Sequence, residues 1–388
     1  MSDKIFDFEI IEDIEETKMG EIIDFISQIG DTRCQGKIKH KLTDIVILTL
    51  LAMLANVEYW TQVEDFGNYY ERILKKYLEL PNGIPSHDTI QRVISTISPE
   101  AMQGVVNRWN RLLGEKEDEK LKKIFNIDGK TMRGSKNKDK EALHVMTAYS
   151  QNDRVCYSQE TVEGKGREIA GIMQLLENLK IRNCIITIDA IGTQKKIVEK
   201  IAGEGGDYCL ALKKNQQDLY EDVSEYMNDR DFQRGMKYYK TVEKARGGIE
   251  TREYYMTDNT KWLNKRHTGW KKLKGIGMCK LSIEKGGEVT SHTRYYIMSI
   301  TEEISEFARA VRGHWGIESL HWVLDVVFRE DSNRTLNRTA AKNLNILRKL
   351  SINILKELTY RKENMSYKRK RLAVSMDFRN FLMQIFKV

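Results

Sequence analysis

The chain is 388 residues long, with 64 lysines and arginines against 56 aspartates and glutamates and a net charge of +8. That length allows two or three domains with a sizeable core; the five scattered cysteines, Cys34, Cys156, Cys184, Cys209 and Cys279, form no CxxC pair, which argues against a zinc site or a disulfide framework and for a reducing cytoplasm. The longest apolar run, 45–55, is about half of the roughly 20 residues a membrane span needs, and the acidic start is the opposite of a secretory signal, so a soluble protein without a membrane partner is expected.

The first 25 residues hold nine acids and two bases, which leaves +15 on the other 363 and suits a polyanionic partner. Residues 1–118 read as helical: apolar spacing runs through 22–26, 41–57, 60–79 and 99–113, with Pro81, Pro85 and Pro99 as breakers. From about Leu121 the pattern changes. Strands are expected at 124–128, 144–149 and 154–159, the last two joined by the turn-rich Ser150-Gln151-Asn152-Asp153. A helix at 168–179, a buried strand at 185–189, a helix at 194–202 and a strand at 208–212 follow, an alternation that predicts a mixed α/β sheet with helices on its faces. Between about 215 and 300 the pattern is mostly short β segments, such as 252–256 and 294–298. It becomes helical again from Ser305 to about Leu358, and 361–388 reads as a basic tail around Lys368-Arg369-Lys370-Arg371. No internal repeat or low-complexity segment interrupts this order.

Three acids stand out, because carboxylates from separate elements are what holds two divalent metal ions against a phosphodiester. Asp189 ends the apolar strand Cys184-Ile185-Ile186-Thr187-Ile188-Asp189, where open α/β sheets place their ligands; its structural alternative is a cap for the helix near Gln194. Asp128 is followed by Gly129, and Asp-Gly by itself is a hairpin-turn signal; Lys130 and Arg133 nearby, and a glycine that permits close approach, bring a catalytic site level with the turn as a reading. Glu318 lies in Arg312-Gly313-His314-Trp315-Gly316-Ile317-Glu318-Ser319-Leu320-His321-Trp322-Val323-Leu324-Asp325. On one continuous helix, His314, Glu318, His321 and Asp325 would share a face. Trp315 and Trp322 read as core or partner-packing residues, with base stacking the alternative for Trp315.

These segments resemble the DDE-type transposases of bacterial insertion sequences, in the group that includes the H-repeat-associated proteins. The resemblance covers almost the whole chain. It rests on Gly83-Ile84-Pro85-Ser86-His87-Asp88-Thr89, Ile127-Asp128-Gly129-Lys130-Thr131-Met132-Arg133-Gly134-Ser135, Thr187-Ile188-Asp189-Ala190-Ile191-Gly192-Thr193-Gln194, Gly206-Asp207-Tyr208-Cys209-Leu210-Ala211-Leu212-Lys213-Lys214-Asn215-Gln216 and His314-Trp315-Gly316-Ile317-Glu318-Ser319-Leu320-His321-Trp322, five motifs in the family's order.

The resemblance implies an RNase H-like catalytic core at 119–360 with a β-rich insertion at about 215–300, preceded by a helical family-associated domain at 1–118. Asp128, Asp189 and Glu318 take the DDE positions as catalytic and metal-holding residues. Mg²⁺ or Mn²⁺, two ions, is the implied cofactor. Relatives often carry Tyr, Arg and Lys around the Glu; here those slots hold Val311, His314 and Asp325. Candidate DNA contacts are Lys130, Arg133, Lys213, Lys214, Asn215, Arg246, Arg252, Arg312, His314 and Trp315. The implied function is metal-dependent cleavage and strand transfer on double-stranded DNA at insertion-sequence ends and targets, by a homodimer in the bacterial cytoplasm at the nucleoid. Two rivals are a catalytically silent DNA-binding derivative and a binuclear iron or zinc enzyme built on the His314, Glu318, His321 and Asp325 stripe.

Overall fold

The computed structural model describes residues 18–112, 121–245, 247–358 and 365–386. Five helices come first: α1 (Lys18–Ser27), α2 (Leu42–Leu54), α3 (Trp60–Leu74), α4 (His87–Ile94) and α5 (Pro99–Leu112). The apolar run 45–55 becomes α2, buried on every side, as a helix without a polar face must be. Pro99 opens α5 rather than merely separating elements, since proline's missing N–H is not needed in a first turn. The short α4 begins inside the first family-like motif, whose last three residues form its first turn. Ser86 caps it, its hydroxyl accepting from the Thr89 N–H.

The sheet follows, with β1 (Ile124–Met132), β2 (Leu143–Ser150), β3 (Val155–Glu163), α6 (Glu168–Glu177), β4 (Ile185–Ile188), α7 (Lys195–Gly203) and β5 (Asp207–Leu212). Next are α8 (Gln217–Asn228), α9 (Arg230–Gln233), β6 (Lys237–Ala245), β7 (Gly248–Thr257), α10 (Lys261–Arg266), β8 (Gly275–Lys285) and β9 (Glu288–Met298). All nine strands form one mixed sheet, ordered β3-β2-β1-β4-β5-β9-β8-β7-β6. β4 is parallel to both β1 and β5, and the remaining pairs are antiparallel. The region 215–300 is therefore not only β. Leu219, Val223 and Met227, four apart and buried, are the helical signal for α8.

Alternation along the strands sorts the two faces. Ile186, Ile188, Tyr208 and Leu210 pack in one apolar cluster with residues of α6, α7 and α8. Ile124, Ile185 and Cys209 face the other way and pack with Phe307, Ala308, Ala310 and Val311 of α11 (Ile304–Gly313). Asp128-Gly129 is no turn. It lies inside β1, with Asp128 opposite Thr147 and Gly129 opposite Met146. A side chain at Gly129 would meet the His144 ring at 2.2 Å, so the glycine serves packing of the neighbouring strand.

After α11 the chain forms α12 (Trp315–Trp322), a wide π turn at Val323–Val327, α13 (Arg338–Glu357), α14 (Tyr367–Met376) and α15 (Phe378–Phe386). The expected basic tail is, in its described part, two packed helices. Val374, Phe378, Phe381 and Leu382 join one apolar core with α2, α3, α5 and α13. The helical layer is thus built from both ends of the chain, fastened by Asn343 Nδ2 donating to the carbonyls of Ile94 and Ile97 at 2.8 and 2.9 Å.

Arg371, from the basic tetrad, is fully buried. Its guanidinium donates to the Met53 carbonyl at 2.9 Å, to the Val327 carbonyl, and to Glu58 at 2.7 Å, and lies 4.1 Å from the Phe328 ring centroid. Removing it leaves the largely buried Glu58 carboxylate and the Val327 carbonyl without this donor. Arg371→Ala is expected to lower stability by about 3–5 kcal/mol in urea unfolding, whereas Arg369→Ala on the same helix, which is exposed, should change it by less than about 0.5 kcal/mol.

Candidate active site

Register builds the site. Asn126 pairs with Thr187 and Ile127 with Ile188 across the parallel β1–β4 ladder, so Asp128 and Asp189, each one residue further on, stand level on neighbouring strands. By the same alternation Asn126, Asp128, Thr187 and Asp189 share the face toward the α11–α12 junction. Glu318 comes to it from α12. Asp128, Asp189 and Glu318 line one pocket of about 270 Å³, together with Thr187, Lys213, Arg294, His314 and Trp315. Asp189 also accepts from the Ile191 N–H at 3.2 Å and so caps the short turn Ala190–Gly192, not the helix near Gln194.

The pocket is acidic at its floor. Burial pushes the Asp128 carboxyl up to about 7, and the negative charges of Asp189, Glu318 and Glu168 add to the rise against the lowering by the Gly129 N–H, which donates to Asp128 at 2.8 Å. Glu318 is exposed at the rim. Among the described residues no three His, Cys, Asp or Glu side chains already stand in a metal-holding group. The donor set nevertheless fits a hard divalent cation: three carboxylates on separate elements, one destabilised as an anion by burial and by its neighbours.

The expected stripe on one helix is split. α11 ends at Gly313, where a side chain would strike Gln151 of the β2–β3 connection, and the π turn rotates Asp325 away from Glu318. His314 Nδ1 lies 2.8 Å from the Thr187 hydroxyl, and burial drives its pKa down to about 4. His321, held down to about 3 by burial and then by Lys349 and Lys130, sits with Nδ1 3.6 Å from Asp128. Asp325 pairs with Lys130 at 2.7 Å. His314, His321 and Asp325 therefore meet three different partners, Thr187, Asp128 and Lys130, and do not continue one stripe with Glu318.

Several candidate DNA contacts are also redirected. Lys130 is buried among Asp325, Glu330 and Asp331, at 2.7, 2.7 and 3.3 Å, and cannot reach a ligand. Three carboxylates on the segment after α12 are what hold its ammonium below the surface. Arg252 is likewise buried, paired with Glu243 at 3.3 Å and with Glu250. Arg312 shares Glu243 at 3.0 Å, tying α11 to the β6–β7 hairpin, while its side chain stays 43% exposed. His314, neutral and bonded to Thr187, is no cationic phosphate contact. Arg246 lies outside the described residues.

Other candidates remain available. Lys213, Lys214 and Asn215 are exposed on the loop after β5, with Lys213 at the pocket and Asn215 Nδ2 donating to the Ala190 carbonyl at 2.6 Å. Arg133 is 82% exposed, 3.6 Å from Asp331. Trp315 lies under Arg294, whose guanidinium carbon is 4.9 Å from the ring centroid. Arg294 was not singled out in the sequence, where it reads only as one charge on a strand. Trp322, expected to be packed, is 59% exposed beside a second, wider groove of about 1000 Å³ that shares Trp315 and Glu318 with the acidic pocket.

A model described as "Transposase DDE domain" matches residues 119–354, and one described as "DDE_Tnp_1-associated" matches residues 23–110. The chain is 38% identical over 362 residues to "Putative transposase YncI" of Escherichia coli O157:H7, covering 91% of this chain and 92% of that protein. It is 36% identical over 376 residues to "H repeat-associated putative transposase YhhI" of Escherichia coli strain K12, covering 95% and 98%. A solved piggyBac transposase synaptic complex with hairpin DNA aligns with 95% of this chain and 77% of its own at 11% identity and a TM-score of 0.37, too slight a likeness to argue from.

The raised pKa of Asp128 has a measurable consequence for stability. Its folded value near 7 lies above the ordinary carboxyl value of about 4, so the folded state holds a proton that the unfolded chain releases. Stability from this group is complete below about pH 4 and is lost as the pH rises through about 7. Asp128→Asn is therefore expected to unfold at higher urea than wild type at about pH 8, with the gain vanishing near pH 4; an equal shift at both values would show that the carboxyl is not destabilised by its surroundings.

Proposed function

Because the chain belongs to the family of DDE-domain transposases that includes the H repeat-associated proteins, we propose that it cuts and joins DNA at insertion-sequence ends, using Asp128, Asp189 and Glu318 as its catalytic acids. The observation that carries this reading is their convergence on one pocket from two neighbouring parallel strands and a helix. We read β1–β5 with α6 and α7 as an RNase H-like core, in keeping with the order β3-β2-β1-β4-β5 and the parallel β1, β4 and β5. In this reading 119–360 is the catalytic domain, the stretch from α8 to β9 its insertion, and residues 1–118 a family-associated helical domain.

Asp128, Asp189 and Glu318 would hold Mg²⁺ or Mn²⁺, two ions by the chemistry of phosphodiester cleavage. Bound there, the cations would activate water or a terminal 3′-hydroxyl and neutralise charge on the phosphate. The chain's own part is to aim the phosphodiester. Lys213 and Lys214, exposed beside the acids, neutralise backbone phosphates and set the register of the strand; Asn215 fixes their loop to the Asp189 turn. Arg133, Arg312 and the Arg294–Trp315 pair extend the same surface to either side. Its partner is double-stranded DNA, both ends and target, held by a homodimer at the bacterial nucleoid in the cytoplasm.

Asp189→Asn keeps the side chain's shape and removes its charge. It is expected to reduce Mg²⁺-dependent cleavage of the element's own terminal DNA by at least about a hundredfold, with binding retained in a gel-shift assay. A wild-type chain that binds those ends and never nicks them with Mg²⁺ or Mn²⁺ would favour the catalytically silent derivative. Lys213→Ala and Lys214→Ala should each lower the slope of log affinity against log salt by about 1. Arg252→Ala, whose charge is spent inside the protein, should leave the slope unchanged in whatever fraction folds.

A further inference from the structure

A chain of three hydrogen bonds decides which nitrogen of His314 carries its proton. Asn126 Nδ2 donates to the Gly313 carbonyl at 2.8 Å, which turns the amide so that Oδ1 points the other way. That oxygen can only accept, and it accepts from the Thr187 hydroxyl at 2.8 Å. The single hydroxyl proton of Thr187 is then committed. Its oxygen, 2.8 Å from His314 Nδ1, must accept there, so the proton of the neutral ring sits on Nδ1. Nε2 is left with a bare lone pair and has no hydrogen-bond partner among the described residues.

His314 lines the pocket of Asp128, Asp189 and Glu318. Three carboxylates and an unprotonated imidazole nitrogen supply four acceptor groups to a pocket that also holds the Lys213 and Arg294 side chains, and acceptors of this kind are the ligands of a metal cation. A histidine whose other ring nitrogen is anchored by a hydrogen bond is the usual arrangement of a metal-ligating imidazole, because the anchor fixes both tautomer and ring plane. The β1–β4 register supplies that anchor here: Asn126 and Thr187 are direct partners across the ladder, two residues before Asp128 and Asp189.

The geometry points to His314 Nε2 as a neutral nitrogen ligand for a divalent cation held with Asp189, and to Asn126 and Thr187 as the positioning residues that keep its lone pair directed into the pocket. The inference rests on the reading of the acids as metal-holding and adds a donor that a site of three carboxylates lacks. It also sets a preference. Imidazole suits transition ions better than Mg²⁺, which keeps to oxygen donors, so His314 shifts the site's preference from Mg²⁺ toward Mn²⁺. It departs from a phosphate-binding role for His314, which would require a proton on Nε2.

The test is Mn²⁺ alone, added to the purified full chain and followed by electron paramagnetic resonance. The free-ion signal gives the affinity, and electron spin-echo modulation reports any nitrogen coupled to the bound ion. Wild type is expected to bind Mn²⁺ with coupling to one imidazole nitrogen. His314→Ala and His314→Gln should abolish the coupling and weaken Mn²⁺ by at least about tenfold, with a smaller effect on Mg²⁺. Thr187→Val, which keeps the shape and removes the acceptor for Nδ1–H, should weaken Mn²⁺ by about 10–100-fold, as loss of an orienting partner does. Mn²⁺ bound in an Asp189-dependent way without nitrogen coupling overturns the inference and leaves the transposase reading standing. Coupling that survives in His314→Ala and disappears in His321→Ala overturns it in favour of the other histidine. A wild-type chain that neither binds Mn²⁺ nor cuts its terminal DNA overturns the inference and the metal reading together. The wild-type spectrum requires no variant to fold, so a poorly folding His314→Ala does not spare the proposal.

Discussion

The parallel pairing of β1 with β4 is the constraint on which the site depends. β1, with antiparallel β2 on its other side, and the short β4, with parallel β5 on its other side, are held so that Ile127 pairs with Ile188, and everything polar in the pocket is counted from that register. A slip of one residue would turn Asp128 and Asp189 to opposite faces and send Ile127 or Ile188 out of the core. The apolar residues on the far face, Ile186 and Ile188 against α6 and α7, therefore hold the carboxylates level on the near face. Packing energy is what keeps like charges together, since nothing in their mutual electrostatics would.

Around that pair the molecule places its charges according to depth. Two of the cations are used inside the protein: Lys130 in a cluster of three carboxylates, and Arg252 between Glu243 and Glu250. A buried ion pair adds little net stability against an apolar replacement, but removing one partner is costly, so such clusters fix which segments lie together. Lys130 ties β1 to the segment after α12 and thereby sets where the helix carrying Glu318 can end. The cations left at the surface, Lys213, Lys214 and Arg133, rim the acidic pocket and its surroundings.

The helical layer has the same logic on a larger scale. α1–α5 at one end of the chain and α13–α15 at the other each present an apolar face too broad to stay exposed, and together they make one core. Arg371 and Asn343 act as polar rivets across it, each donating to buried carbonyls of more than one segment. The helical layer therefore includes the helix that follows Glu318, and α13 also sends Lys349 to Thr147 and Gln159 of β2 and β3.

The amino-acid order alone marked the strands around Asp128 and Asp189, the helices on their faces and the three acids that share one pocket. Those features are local: a buried strand is a run of Ile-Ile-Thr-Ile, and an amphipathic helix repeats every few residues wherever it packs. It determined less where two signals coincided, as in Asp128-Gly129, where a turn dipeptide lies in mid-strand because Gly129 makes room for His144. Only the tertiary structure decided which basic residues are free. Lys130 and Glu330 are 200 residues apart in the chain, and no window along the sequence can place a carboxylate beside that lysine. The same holds for Arg371 with Glu58, for the break that divides His314 from Glu318's helix, and for the proton on His314, which is set by Asn126 and Thr187 from two other strands. Periodicity reports how a segment meets an average interior; a partner, a protonation state and a depth are properties of the one interior that forms.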